Sequence, residues 1–403
     1  MSLFPTFRKE AAPSAGLPLV ASDLFGFGDL AAAAARHIGV QRLQLESSAA
    51  AAFIVALKTL HRLSGRRAVV VPAYTSPQIA IAVAQCGLEL RICDLAPDSL
   101  DLDLTQLASL CDSDTLAVVP THLAGRVTAV APTIAVARSV GAFVIEDASH
   151  AFGAVSAAGA VGAIGDLGFF SLGVGDGLSI FEGGLLWAHD DALRKELALT
   201  SAQTIPPDAE AERRAALQLL CYWALYNPRG LGLVYGSPRR RALAAGDVAS
   251  AVGDVFPLRT PMHRVGRWRS GVGARAISRL AKFQADAAER ARVRLSALAA
   301  IPGATVFYDR PQEAGVWPFF LVLAPHAAAC ETALARLWPS GFGVSRLYRS
   351  ALSDYDYLKT IAPPANAPNA QALAARALTV TNSDMLDDAG FARVVAVLKR
   401  SFA

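Results

Sequence analysis

Lysine is scarce in this chain. There are six, at Lys9, Lys58, Lys195, Lys282, Lys359 and Lys399, so none lies between Lys58 and Lys195. That middle stretch therefore offers no side-chain amine for covalent catalysis. Charge is also sparse, at 18% of residues with a net +4 and no basic block. This excludes the clustered positive charge of a nucleic-acid binder, and no nucleic-acid partner is expected. The five cysteines (Cys86, Cys93, Cys111, Cys221, Cys330) show no metal-ligand spacing. Odd in number and mostly within apolar runs, they read as buried free thiols in a reducing compartment, and no metal site is expected. No run approaches the roughly 18 apolar residues of a spanning helix. The opening MSLFPTFRKEAAPSAG lacks the apolar core of a signal peptide. The expectation is a cytoplasmic protein.

What is abundant is apolar side chain, 53% of 403 residues, enough for a large domain with a smaller one beside it. Residues 1–22 read as an irregular lead-in, broken by Pro5, Pro13, Gly16 and Pro18. From there strand and helix patterns alternate. Helices are expected over 29–38, 49–62, 78–86, 103–110 and 133–140. Strands are expected over 43–45, 68–71, 89–94, 116–120 and from Phe143. Repeated units of this kind imply a mainly parallel sheet with helices on both faces. The large domain is assigned to 23–262, with 200–262 as an atypical helical insertion. Residues 263–403 are read as a long helix over 272–300 and a small α+β domain. Within 222–241, aromatic and apolar residues precede Arg239-Arg240-Arg241. Two readings stand for that span: contact with an anionic membrane surface, or a helical insertion packed on the main domain or on a partner.

The chemistry concentrates in FVIEDASHAFGAVSAAGAVGAIGDLGFFSLGVGDGLSIFEGG, residues 143–184. The strand Phe143-Val144-Ile145 ends on Glu146-Asp147, where a parallel strand delivers side chains to a ligand crevice. His150 follows, then the apolar run Phe169-Phe170-Ser171-Leu172 and Asp176. Upstream stand Ser48-Ala49-Ala50 at the start of a helix and Val71-Pro72-Ala73-Tyr74-Thr75 after a strand. Together these phrases resemble the DegT/StrS-type sugar aminotransferases, enzymes of fold type I that depend on pyridoxal phosphate (PLP). The resemblance covers about 40–190 and 265–400. It implies an α/β fold-type-I PLP-transferase, with a large domain around a mainly parallel sheet and a small α+β C-terminal domain.

The resemblance also implies roles. Asp147 takes the place of the aspartate that keeps the cofactor's pyridine nitrogen protonated. His150 stands near the ring, and Ser171 where a serine bonds the phosphate. Ser48, Ala49 and Ala50 stand at the helix start that cradles the phosphate, although the family's Gly and Thr are both Ala here. Ser76 stands where the family stacks an aromatic ring on the pyridine. Asp176 stands where the family carries its Schiff-base lysine, and a carboxylate cannot form that bond. The family's neighbour-directed Asn is absent, with Val272 in its region.

The leading expectation is a family homologue that does not transaminate, tied to nucleotide-sugar or polysaccharide biosynthesis, possessing a binding or regulatory role. Its pyridoxal or pyridoxamine phosphate would be weakly held or lost, and a nucleotide sugar is a candidate ligand. It would form a homodimer or a heterodimer with an active relative. Two alternatives stay open: a pyridoxamine-phosphate (PMP) dependent sugar dehydratase with Asp176 or His150 as base, or a PLP-dependent aminotransferase of nucleotide-linked keto sugars.

Overall fold

The computed structural model describes residues 8–403; the first part of the lead-in, Pro5 included, lies outside the described residues. The strands are β1 (Gln44–Glu46), β2 (Ala68–Pro72), β3 (Glu89–Cys93), β4 (Thr115–Val118), β5 (Phe143–Asp147), β6 (Val155–Ser156), β7 (Gly159–Ala160), β8 (Leu167–Ser171) and β9 (Gly184–Ala188). Seven of them form the central sheet in the order β1-β9-β8-β5-β4-β2-β3. β3, β2, β4, β5 and β8 pair in parallel. β9 runs antiparallel beside β8, and β1 antiparallel beside β9. β2 and β9 are buried along their whole length, as expected of strands covered by helices on both faces. The small hairpin of β6 and β7 stands apart; its two-residue strands are too short to leave a period in the sequence.

The helix Ala49–Ser64 passes under the sheet, with ten of its residues buried. Its first turn packs so closely on β9 that a Cβ at Gly184 would fall 2.2 Å from the Ser48 carbonyl oxygen. Glycine at this position allows the close approach. The C-terminal residues form a second sheet, ordered β10 (Thr305–Val306), β11 (Phe319–Leu323), β13 (Ala377–Thr381), β12 (Val344–Ser345), with all pairs antiparallel.

Several boundaries differ from the sequence reading. The helix expected over 133–140 is Val130–Ser139, because Pro132 sits within the first turn, where its missing N–H costs nothing. The long helix expected over 272–300 is two, Arg267–Ala276 and Leu280–Ala299, joined by a 3₁₀ turn at Ile277–Arg279. The cysteines are all free, as read, but only Cys93 and Cys330 are buried; Cys86 and Cys111 are half-buried and Cys221 is exposed. Cys221 lies on the outer side of the helix Ala209–Leu225, which a mostly apolar stretch does not reveal. No helix among the described residues is long and apolar enough to cross a membrane.

In the span read as an insertion, Pro228–Leu231 continues through a π-helical segment, Gly232–Gly236, into Ser237–Ala244. Arg239 and Arg240 both turn inward onto Glu10, which is fully buried; the Arg240 Nη1 to Glu10 Oε2 distance is 2.7 Å. A lead-in residue thereby anchors the insertion from some 230 positions away. A second anchor is Arg269, itself fully buried, which donates to Glu212 at 2.9 Å and to the Glu182 carbonyl at 2.6 Å. Burial works to raise the Glu212 carboxyl, but hydrogen bonds from His263 and Arg269 and the arginine charge bring it down to about 2.

Candidate active site

The carboxyl ends of the parallel strands, where an open α/β sheet presents its crevice, surround a cavity of about 100 Å³. β5 supplies Asp147 and β8 supplies Ser171. The loops after β5, β8 and β2 supply His150, Asp176 and Ser76. The first turn of the helix Ala49–Ser64 supplies Ala49 and Ala50. Seven of the eight side chains singled out from the sequence thus share one wall. The eighth, Ser48, caps the helix, its Oγ accepting from Ala51 N at 3.0 Å. By helix geometry the N–H groups of Ala49 and Ala50 have no partner within the helix, so an anion at this end would meet them.

Asp147 is 4% exposed. Its Oδ1 accepts from Ser149 N at 3.1 Å. Burial pushes its carboxyl above the ordinary range, against the pull of the Ser149 bonds and the charges of His150 and His122. Asp176 sits between Gly175 and Gly177, both at positive φ (92° and 85°), where a side-chain-bearing residue would be strained. Burial raises its carboxyl too, opposed by His150 and by a hydrogen bond from Ser171. Ser171 Oγ also accepts from Gly173 N at 3.1 Å. Its hydroxyl lies beside the Asp176 carboxyl and works to lower it. No lysine or arginine lines the cavity; His150 is the basic side chain on its wall.

The lead-in closes the Asp176 loop from outside. Gly16 bridges Gly177 in parallel, and Leu17 N donates to the Gly177 carbonyl at 2.7 Å. Tyr226 of the insertion holds this strap: Gly16 N donates to its hydroxyl at 2.9 Å, and the hydroxyl donates to the Ser14 carbonyl at 3.3 Å.

One feature departs from the sequence reading of the strand end. Glu146 does not face the crevice beside Asp147. Side chains alternate along a strand, and Glu146 points to the opposite side, fully buried, accepting from Gly162 N (3.0 Å), Ile164 N (2.6 Å) and Gly165 N (2.7 Å). His122 bonds Glu146 from the same side, through Nε2 at 3.0 Å. Thr128 N donates to His122 Nδ1 at 3.1 Å, so the ring proton sits on Nε2, toward the carboxylate.

Sequence reasoning missed Tyr348 as a member of this wall. It arrives from the C-terminal domain, 9% exposed, with its ring edge-on to Tyr74 at 5.5 Å between centroids. Burial pushes its hydroxyl well above the ordinary range, against a smaller pull from Ser76. Ser76 meanwhile caps the helix Pro77–Gln85, accepting from Gln78 N at 3.3 Å. An aromatic ring is therefore present in the cavity, supplied by a residue 272 positions after the serine that stands in the ring's expected place. Thr121, Gln78, Ile79, Ser149 and Phe169 complete the lining. Val272 is buried in the core of its helix.

Residues 28–222 match the model of the DegT/DnrJ/EryC1/StrS aminotransferase family. GDP-perosamine synthase of Caulobacter vibrioides is 31% identical over 140 residues, covering 35% of this chain and 38% of that protein. The spore coat polysaccharide biosynthesis protein SpsC of Bacillus subtilis is 29% identical over 167 residues, covering 41% of this chain and 43% of that protein. These matches span less than half the length of either relative. Spr1654 of Streptococcus pneumoniae, solved in its PMP form, superposes with a TM-score of 0.73 at 15% identity, over 97% of this chain and 99% of that one. At such identity the likeness speaks to the fold, which is that of the PLP-dependent sugar aminotransferases. The matched span holds all seven strands of the central sheet and every wall residue of the cavity except Tyr348, and over that span the chain is similar to the DegT/DnrJ/EryC1/StrS aminotransferase family.

Proposed function

We propose that this chain serves nucleotide-sugar or polysaccharide biosynthesis without transaminating through a lysine. The observation that carries the reading is Asp176. It lines the cavity with Asp147, His150 and Ser171, and no lysine lines it. The relatives named for sugar and polysaccharide synthesis support the biosynthetic setting.

The residues present fit a pyridoxine-type phosphate held without a covalent bond. Asp147 offers a buried carboxyl to a ring nitrogen, and the Ala49–Ala50 turn offers amides to a phosphate. Such a cofactor, when bound, supplies an electron sink for a substrate carbanion. The chain's own share is to orient the ring and to exclude water. The hold is weak in this reading, because the Asp176 carboxyl competes for the Ser171 hydroxyl and position 50 has no hydroxyl. The test is borohydride reduction with PLP followed by peptide mass mapping. No modified lysine is expected; a phosphopyridoxyl group on one specific lysine would overturn the reading and restore an ordinary aminotransferase.

A second reading rests on His150 and Asp176 sharing the cavity, with the Asp176 carboxyl raised by burial. A carboxyl that titrates closer to neutrality is a better general base, which suits a PMP-dependent sugar dehydratase. Loss of the 3-hydroxyl from a keto-sugar nucleotide, followed by mass spectrometry, distinguishes the two readings.

The functional unit in this proposal is a dimer, of this chain with itself or with an active relative, because sites of this family borrow from the neighbouring subunit. A monomeric mass by light scattering at micromolar concentration, with no relative recovered in pull-downs, would count against it.

A further inference from the structure

We propose that Asp176 makes this cavity selective for a ligand that brings its own primary ammonium group, with pyridoxamine phosphate taken in preference to the aldehyde form and held without a covalent bond. The inference rests on the reading above, that no lysine joins the cofactor.

The argument starts from charge. The wall carries two carboxyl groups, Asp147 and Asp176, and no lysine or arginine. Asp147 is 96% removed from solvent by its 4% exposure, and Ser149 is the one residue that hydrogen-bonds its carboxyl among the described residues. A buried carboxylate with so few donors lacks the pairing such groups need. A cationic ligand would supply it.

Asp176 is also aimed. Gly175 and Gly177 give its loop the positive φ values it needs. The lead-in strap pins both sides of it, through Ser14 Oγ on the Gly175 carbonyl and Leu17 N on the Gly177 carbonyl. Ser171 Oγ and the Asp176 carboxyl lie side by side against Gly173. This is a held side chain, not a surface acid that happens to point inward.

A carboxylate here reverses what a lysine would do. A lysine attacks an aldehyde; a carboxylate sets acceptor lone pairs against the aldehyde oxygen, which is itself an acceptor. An ammonium group brings three donors and a positive charge to the same place. Charge-assisted hydrogen bonds in an enclosed site are the stronger kind. The position that the sequence reads as a loss is, in this geometry, a change of preferred partner.

The test compares three ligands by equilibrium fluorescence titration of the full chain: pyridoxamine phosphate, pyridoxal phosphate and 4′-deoxypyridoxine phosphate. The last has the same ring and phosphate, with a methyl group in place of the aminomethyl. Pyridoxamine phosphate is expected to bind at least about tenfold more tightly than the deoxy compound, the lower end for a hydrogen bond to a charged group. Pyridoxal phosphate is expected to bind no more tightly than the deoxy compound. In Asp176→Asn, which keeps the shape and removes the charge, the tenfold preference should fall to about one. Equal binding of the amine and deoxy compounds by the unaltered chain would overturn the inference, as would a preference that survives Asp176→Asn. Absence of binding by all three would overturn it too, while leaving the non-transaminating reading in place. A lysine-borne phosphopyridoxyl peptide would instead overturn that reading. If Asp176→Asn does not fold, the three-ligand ratio in the unaltered chain still decides.

Discussion

The two ends of the cavity are held by different kinds of support. Asp147 stands on a central strand, and the next residue back, Glu146, ties down the following loop through three backbone amides and His122. Asp176 stands on a glycine-flanked loop, held by a strap of lead-in backbone and a tyrosine from the insertion. A fully satisfied buried network is rigid, and altering one member leaves the others unpaired. A loop held by backbone bonds keeps its shape when its side chain changes, because those bonds do not involve the side chain. The Asp147 end therefore has little freedom to vary, whereas position 176 can exchange one side chain for another without disturbing the fold.

The sharpest way to break this comparison is Glu146→Ala. It leaves three amides and His122 without their acceptor in a dry interior, and a loss of about 3–5 kcal/mol in urea denaturation is expected. A loss below about 1 kcal/mol would show that the Asp147 end is no more tightly held than the other.

Tyr226→Phe tests the loop end. The strap loses the hydroxyl that bonds Gly16 N and the Ser14 carbonyl, for about 1 kcal/mol. Faster amide exchange should be confined to residues 14–17 and 173–177. Exchange that rises equally along β5 would mean the two ends are not separate.

Asp176→Asn is expected to act in the opposite direction, by less than about 1 kcal/mol. Burial raises the folded-state pKa of this carboxyl. Between the unfolded and folded values the native state binds more protons, so stability falls as pH rises through that window. Above it the half-buried, ionised carboxylate is a cost that asparagine removes. Asp176→Asn should thus raise the melting temperature at pH 7 and have less effect below the carboxylate range. A gain that is the same at both pH values would sink the electrostatic explanation.

The smallest change is expected from Asp176→Lys in a transamination assay with PLP, glutamate and a panel of keto-sugar nucleotides. An amine at position 176 restores a nucleophile, and borohydride should then trap cofactor on it. Turnover should stay undetectable. In the proposed reading Ser76 replaces a stacking ring, position 50 lacks a hydroxyl, and the remaining wall carboxyl, Asp147, holds the new amine in its charged, less nucleophilic form. Turnover near 10 s⁻¹, the middle of the usual enzyme range, would show that only one position departs from function.

By itself the sequence determined the architecture and most of the wall. Buried strands read as apolar runs, and parallel strands end on one side of the sheet, so Asp147, Ser171, Ser76 and Asp176 had to converge once the βα order was recognised. Local pattern also decided the helix expected over 29–38, which is Leu30–Ile38 with Asp29 as its cap. What only the tertiary structure decided are matters of long-range contact and of side-chain direction. Glu146 and Asp147 are neighbours in the chain, yet the pleat sends them to opposite faces, and only the amides of residues 162–165 show which carboxyl serves structure. Tyr348 enters from another domain, and no local period marks a residue for a cavity built 200 positions earlier. Arg239 and Arg240 read as a surface cluster until Glu10 is found buried against them. A pattern along the chain reports which faces are apolar. It carries no record of which distant polar group will neutralise a charge, because that pairing forms only when the folded chain removes both groups from water.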